Sequence, residues 1–184
     1  MIDACVVRRA SVAVLLALAA SCCSGQGASA AASARPLPAC ALTPLGEAPV
    51  PDLTGLRGEV LYVDFWASWC VPCGKAFPFM NRLAREFRSQ GLRVVGINVD
   101  ENPADALAFL ARHPALFELG ADAQGQCPRA FGVKGMPTSY LVDRQGVIRL
   151  VHLGFNGEDA APLRLQVQQL LQEQPAAPAP HRQP

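Results

Sequence analysis

Cys70 and Cys73 stand two residues apart, with Val71 and Pro72 between them, where an apolar run ending at Trp66 gives way to a helical pattern. Bridged cysteines need Cα atoms roughly 4.4 to 6.8 Å apart, and one helical turn carries residues three apart onto one face. The pair can therefore cycle between dithiol and disulfide. Cys70 falls at or just before the first helical turn, where unpaired N–H groups and the positive end of the helix dipole stabilise an anion. Thiols so placed have pKa values lowered from about 8.5 toward roughly 3.5 to 7.5. Cys70 is thus the candidate nucleophile. Cys73, deeper in the helix, gains less and is the candidate resolving thiol. Pro72 suits the first turn, because its missing N–H has no helical partner there.

A bare Cys-x-x-Cys is also half of a zinc site, and it can equally be an inert structural bridge. A structural zinc site calls for a second Cys or His pair at ligand spacing, and Cys40, Cys127, His113 and His152 are scattered singly. Redox activity is the favoured reading, with no metal site expected. The other two readings stay open at this stage.

The chain has 184 residues, 51% of them hydrophobic and 17% charged, with a net charge of +1. That length supports one proper core. The near-neutral balance and the lack of a long basic run exclude the footprint of a nucleic-acid binder.

Arg8 and Arg9, the apolar residues 10–20 and the small residues after them have the layout of a secretory signal. The apolar run is too short for a comfortable membrane span. Ala19, Ala20, Ser21 and Cys22 resemble a lipobox, which makes Cys22 a candidate lipidation site; cleavage after Ala30 and an uncleaved anchor are the alternatives. Residues 1–23 are read as the signal or lipoprotein anchor, and residues 24–51, rich in Ala, Gly, Ser and Pro, as a flexible tether. Residues 52–172 form the expected domain, and residues 173–184 a disordered Pro-rich tail.

Within the domain, residues 59–66 and 92–99 are nearly unbroken apolar runs, as strands of a buried parallel sheet are. A helix between them is expected to reach Gln90, stop at Gly91 and bend at Pro78. Asn102 and Pro103 make a helix start. Residues 116–119 suggest a short strand and residues 126–131 a short helix. Residues 139–142 and 147–153 flank a hairpin turn, and Leu163, Val167, Leu170 and Leu171 mark a last amphipathic helix. This order predicts an α/β fold, a mixed central β-sheet flanked by helices on both faces.

Val63, Asp64, Phe65, Trp66, Ala67, Ser68, Trp69, Cys70, Val71, Pro72 and Cys73 together resemble the active-site segment of the thioredoxin superfamily. The stretch Phe131, Gly132, Val133, Lys134, Gly135, Met136, Pro137, Thr138 resembles the loop bearing that family's cis-proline. The sequence VVGINVDE (residues 94–101), an extra segment before the second loop and the export signal are most similar to TlpA-like and ResA-like exported thiol-disulfide oxidoreductases. The resemblance covers roughly residues 45–172.

It implies the thioredoxin fold and a set of supporting residues. Asp64 matches the family's buried acid; burial among Val63, Phe65 and Trp66 raises a carboxyl pKa and would let it exchange a proton with Cys73. Pro137 would be cis and face Cys70, with the Met136 backbone offered to an extended substrate segment. Trp69 would cover the motif and keep water off one side. Cys40 and Cys127 are a candidate structural disulfide, although sequence does not fix connectivity.

By the same resemblance the substrates are disulfide-bearing exported proteins, such as apocytochrome c or copper-site assembly proteins, on the periplasmic side of a bacterial membrane. No nicotinamide, flavin or metal motif is evident, so no cofactor is expected and electrons would arrive from a membrane-embedded dithiol protein. Membrane attachment would be through lipid or an N-terminal anchor. The alternative from another class is a thioredoxin-fold chaperone or copper-binding module without redox turnover. A peroxidase is disfavoured, since its relatives arrange the cysteine differently.

Overall fold

The structure is a computed structural model, and it describes residues 35–46, 49–50 and 52–173. Residues 1–23, read as signal or anchor, with Cys22 among them, and nearly all of the Pro-rich tail lie outside the described residues.

The chain runs β1 (Arg35–Pro36), β2 (Thr43–Pro44), a 3-10 turn (Leu53–Leu56), β3 (Val60–Trp66), α1 (Val71–Phe87) and β4 (Leu92–Asn98). It continues through α2 (Pro103–Arg112), β5 (Glu118–Ala121), α3 (Gln126–Phe131), β6 (Thr138–Val142), β7 (Val147–Leu153) and α4 (Ala160–Gln172). The strands form one sheet in the order β1-β7-β6-β3-β4-β5-β2. β3, β4 and β5 are parallel, while β6 pairs antiparallel with β3 and β7 with β6. This is the expected mixed α/β sheet of the thioredoxin fold.

β3 is central, and all seven of its residues are buried, as a run that is apolar but for Asp64 requires of a strand covered on both sides. Alternation along it divides the core. Val60, Tyr62 and Trp66 point to the layer that carries Cys73, Phe77, Met80 and Leu83 of α1, Phe109 of α2 and Val167 of α4. Leu61, Val63 and Phe65 point to the opposite layer, with Cys127 and Phe131 of α3 and Tyr140 of β6. Helices therefore lie on both faces. α1 runs through Pro78, which faces solvent, so the proline interrupts bonding on the exposed side without ending the helix. Among the described residues no helix is long and apolar enough to cross a membrane.

Two expectations need correcting. Residues 35–46, read as tether, belong to the fold. Arg35 and Pro36 pair with Ile148 and Val147 of β7, Thr43 and Pro44 pair with Ala121 and Gly120 of β5, and Leu45 is buried. Leu37, Cys40 and Leu42 pack on the α3 layer. Isolated large residues among Ala and Pro suffice here because they pack on the core rather than on one another. β5 begins at Glu118 rather than at Leu116, which is exposed. The Asn81 side chain accepts from the Leu116 N–H at 2.7 Å and donates to the Pro114 carbonyl at 2.8 Å, holding that segment on α1 instead of in the sheet.

Cys40 and Cys127 are joined in a disulfide spanning 87 residues, with Cα atoms 5.3 Å apart. It fastens the segment between β1 and β2 to α3. By loop-closure entropy a bridge of that span stabilises by about 4.6 kcal/mol. The Cys40→Ala/Cys127→Ala protein should therefore lose stability of that order in denaturant titration, with Cys70 and Cys73 still able to exchange. A shift below about 1 kcal/mol would remove the bridge's structural role.

Candidate active site

The two cysteines sit where the parallel sheet hands over to α1. The chain leaves β3 at Trp66, turns with the Cys70 N–H donating to the Ala67 carbonyl at 3.1 Å, and enters the helix at Val71. Cys70 is the N-cap, in extended conformation at φ −86° and ψ 95°, and its Sγ accepts from the Cys73 N–H at 3.3 Å. The cap position is ordinarily held by a short oxygen-bearing side chain. A sulfur there sits in the field of the helix N-terminus. Pro72 lies within the first turn, where its absent N–H costs nothing.

Cys70 and Cys73 are bonded to each other, with Cα atoms 5.3 Å apart. The structure thus holds the oxidised state. Cys70 keeps 3% of its surface and Cys73 none, so an incoming sulfur meets Cys70 first. Trp69, 66% exposed, and Val71, 78% exposed, stand on either side of it. The turn that buries Ala67 and Cys70 leaves Trp69 largely exposed next to the nearly covered Cys70.

That turn is braced from β4, by residues the sequence reading did not single out. The Asp100 carboxylate accepts from the Ser68 N–H at 2.9 Å and from the Ser68 hydroxyl at 2.9 Å, and Asn98 donates to it at 2.8 Å. The Val99 N–H donates to the Trp66 carbonyl at 3.1 Å. These contacts fix the height at which Cys70 enters the helix. Their one trace in sequence was the stretch VVGINVDE, which contains both Asn98 and Asp100.

Asp64 is completely buried. It alternates with Tyr62 and Trp66, which puts it on the α1 face of the sheet, the face that carries Cys73. Its Oδ1 accepts from the Ser139 hydroxyl at 2.6 Å, and Ser139 in turn accepts from the Tyr62 hydroxyl at 2.9 Å. Its Oδ2 has no hydrogen-bond partner. Burial pushes the carboxyl up to about 7, against a smaller downward pull from Ser139. A carboxyl so placed gains and loses a proton near neutrality.

The Met136–Pro137 peptide bond is cis. Pro137 leads directly into β6, whose Thr138 lies opposite Phe65 near the C-terminal end of β3, the end from which the Cys70 turn departs. Its carbonyl accepts from the Gly154 N–H at 2.8 Å. Among the described residues nothing takes up the Met136 N–H or carbonyl in a hydrogen bond. An unpaired donor and acceptor in the loop that leads into β6 suit an extended peptide. His152 lies on β7, whereas His113, at the end of α2, packs its ring against Gly74 next to Cys73, so closely that a Cβ at Gly74 would come within 2.9 Å of it. Among the described residues no three His, Cys, Asp or Glu side chains converge as metal ligands would.

Comparison with known proteins agrees with this geometry. The Redoxin family profile matches residues 32–164. The thiol-disulfide oxidoreductase ResA of Geobacillus thermodenitrificans (strain NG80-2) is 33% identical over 102 residues, 55% of this chain and 59% of that protein. The chain thus spans just under three fifths of the length of the curated relatives it matches. A Chlorobium tepidum structure, provisionally described as the thiol:disulfide interchange protein DsbE, superposes with a TM-score of 0.72 at 43% identity. It covers 75% of this chain and 96% of its own. A second structure from Chlorobium tepidum TLS, a thiol:disulfide interchange protein of the thioredoxin family, gives a TM-score of 0.66 at 25% identity, covering 76% and 98%. A profile match across most of the chain, carried on a thioredoxin fold with its paired cysteines, means that the chain belongs to the Redoxin family, as a ResA-like member of the thioredoxin superfamily.

Proposed function

We propose that this protein is an exported thiol-disulfide oxidoreductase that reduces disulfides in partner proteins. The observation carrying this reading is the Cys70–Cys73 bridge with Cys70 as helix cap. In the reduced form, the Cys70 thiolate attacks one sulfur of a partner disulfide. The partner's S–S bond breaks, a Cys70–partner mixed disulfide forms and one partner thiolate leaves. Cys73 then gives its proton to Asp64 and attacks the Cys70 sulfur. That step closes the Cys70–Cys73 bond, releases the second partner thiolate and leaves two electrons with the partner.

The free Met136 N–H and carbonyl hold the partner's extended segment beside Cys70, with Pro137 shaping the loop. Trp69 and Val71 supply an apolar rim against which that segment desolvates. Electrons return from a membrane-embedded dithiol protein, and the protein is tethered on the periplasmic side of the membrane through Cys22 or an N-terminal anchor. Its clients are cysteines of apocytochrome c or of copper-site assembly proteins.

Insulin reduction with dithiothreitol as donor tests the core of this reading. Catalytic turnover is expected, at far more than one insulin per protein. Stoichiometric binding without turnover would replace the reading with a chaperone or metal-holding role.

A further inference from the structure

Three strands bring polar side chains into one row beneath α1. Asp64 on β3 lies directly opposite Ser139 on β6, and Ser139 lies directly opposite His152 on β7. Tyr62, two residues before Asp64 on the same face, reaches Ser139 with its hydroxyl. Gly96 stands opposite Asp64 on β4 and brings no side chain. The hydroxyls thus run in one direction, Tyr62 donating to Ser139 and Ser139 donating to Asp64 Oδ1. The far oxygen, Oδ2, is buried and unpartnered.

Buried polar atoms without partners are rare and costly. A serine that satisfies one carboxyl oxygen while the other is left bare makes the two oxygens chemically unequal. We propose that Ser139, backed by Tyr62, is a positioning residue that assigns the exchangeable proton of Asp64 to Oδ2. Ser139 occupies Oδ1 as a standing donor, so the proton released by Cys73 is taken on Oδ2. When the Cys70–Cys73 bridge is later reduced, the same oxygen returns the proton to the Cys73 sulfur. No electrons pass through the carboxyl. This rests on Asp64 acting as the base for Cys73.

The surroundings keep the device simple. From α1 the titratable group in this layer is Cys73, and from β7 it is His152, whose Nε2 is 3.5 Å from Asp159 Oδ2. Asp159, on the turn before α4, also accepts from the Asn156 N–H at 2.6 Å, and its charge acts on Tyr62, whose hydroxyl burial holds strongly in the neutral, donating form. On Asp64 itself only burial and Ser139 act. Removing the serine hydroxyl therefore removes the single interaction that favours the carboxylate.

The test is the ¹³Cγ titration of Asp64 by NMR in the oxidised protein, read beside the pH profile of mixed-disulfide release. Ser139→Ala should move both midpoints upward by about one pH unit, the size of one charge-assisted hydrogen bond. Tyr62→Phe should move them the same way by less, and Ser139→Thr, which keeps the hydroxyl, should restore them. Should Ser139→Ala fail to fold, Tyr62→Phe and Ser139→Thr carry the comparison. Midpoints unmoved in the hydroxyl-deleted variants, with Asp64→Asn still slowing release, would overturn the role of Ser139 alone. Release unaffected by Asp64→Asn would overturn the base reading beneath it.

Discussion

Cys70→Ser will abolish disulfide exchange, and Cys73→Ser will leave the protein covalently caught on its substrates. The first loss follows from chemistry: the thiolate is the nucleophile, and a serine hydroxyl at the same cap is not ionised near neutrality. A fall of at least about 10³-fold in turnover is expected for removal of a nucleophile. The second follows from position. Cys70 keeps a little exposed surface and Cys73 keeps none, so the first attack still proceeds without Cys73, while the intramolecular step that frees the partner is gone.

Two readouts separate these roles. Non-reducing electrophoresis should show mixed disulfides accumulating only for Cys73→Ser. Alkylation of that variant should titrate below the ordinary thiol value of about 8.5, because Cys70 caps α1 and its sulfur accepts the Cys73 N–H. Equal trapping by both variants, or a Cys70 that alkylates as a free cysteine does, would contradict the assignment of attacking and resolving sulfurs.

How far the sequence foretold this site depended on whether the information was local. The β3 run, the Cys70 cap with Pro72 behind it, and the Asn102 cap of α2 with Pro103 behind it are encoded within a few neighbouring residues. Patterning alone reached them. Ser139 was invisible for the opposite reason: its partner is 75 residues away, and only the β3–β6 register puts the two opposite each other. Residues 35–46 failed similarly, since their composition is that of a linker and their pairing lies with β5 and β7.

Asp64→Asn should make the protein more stable in alkaline solution and slower in exchange at the same time. The folded carboxyl is pushed up to about 7, while in the unfolded chain it titrates near 3.9, as carboxyls of its type do. Between those values the folded state binds a proton that the unfolded state has lost, so stability falls as pH rises from about 4 to about 7 and levels off above. Titrating that much higher in the folded chain than in the unfolded one corresponds to about 4 kcal/mol, an upper figure for a single buried group. Asparagine removes that slope. Below about pH 4 it resembles the protonated acid, since both are neutral and both can accept from Ser139, the amide leaving two N–H donors unpartnered at the Oδ2 position where the acid leaves one O–H. Denaturant titrations of the oxidised proteins should therefore nearly coincide at pH 4 and diverge by up to about 4 kcal/mol in favour of the variant at pH 8. Resolution of the mixed disulfide should slow in the same variant by about 10² to 10⁴-fold, the usual worth of a positioned base. A purely structural Asp64 would lower stability on replacement and leave resolution alone. A destabilised variant with unchanged release would therefore show that the carboxyl is there for the fold, and the opposite pair of results would show that the fold bears a cost so that Cys73 can be deprotonated.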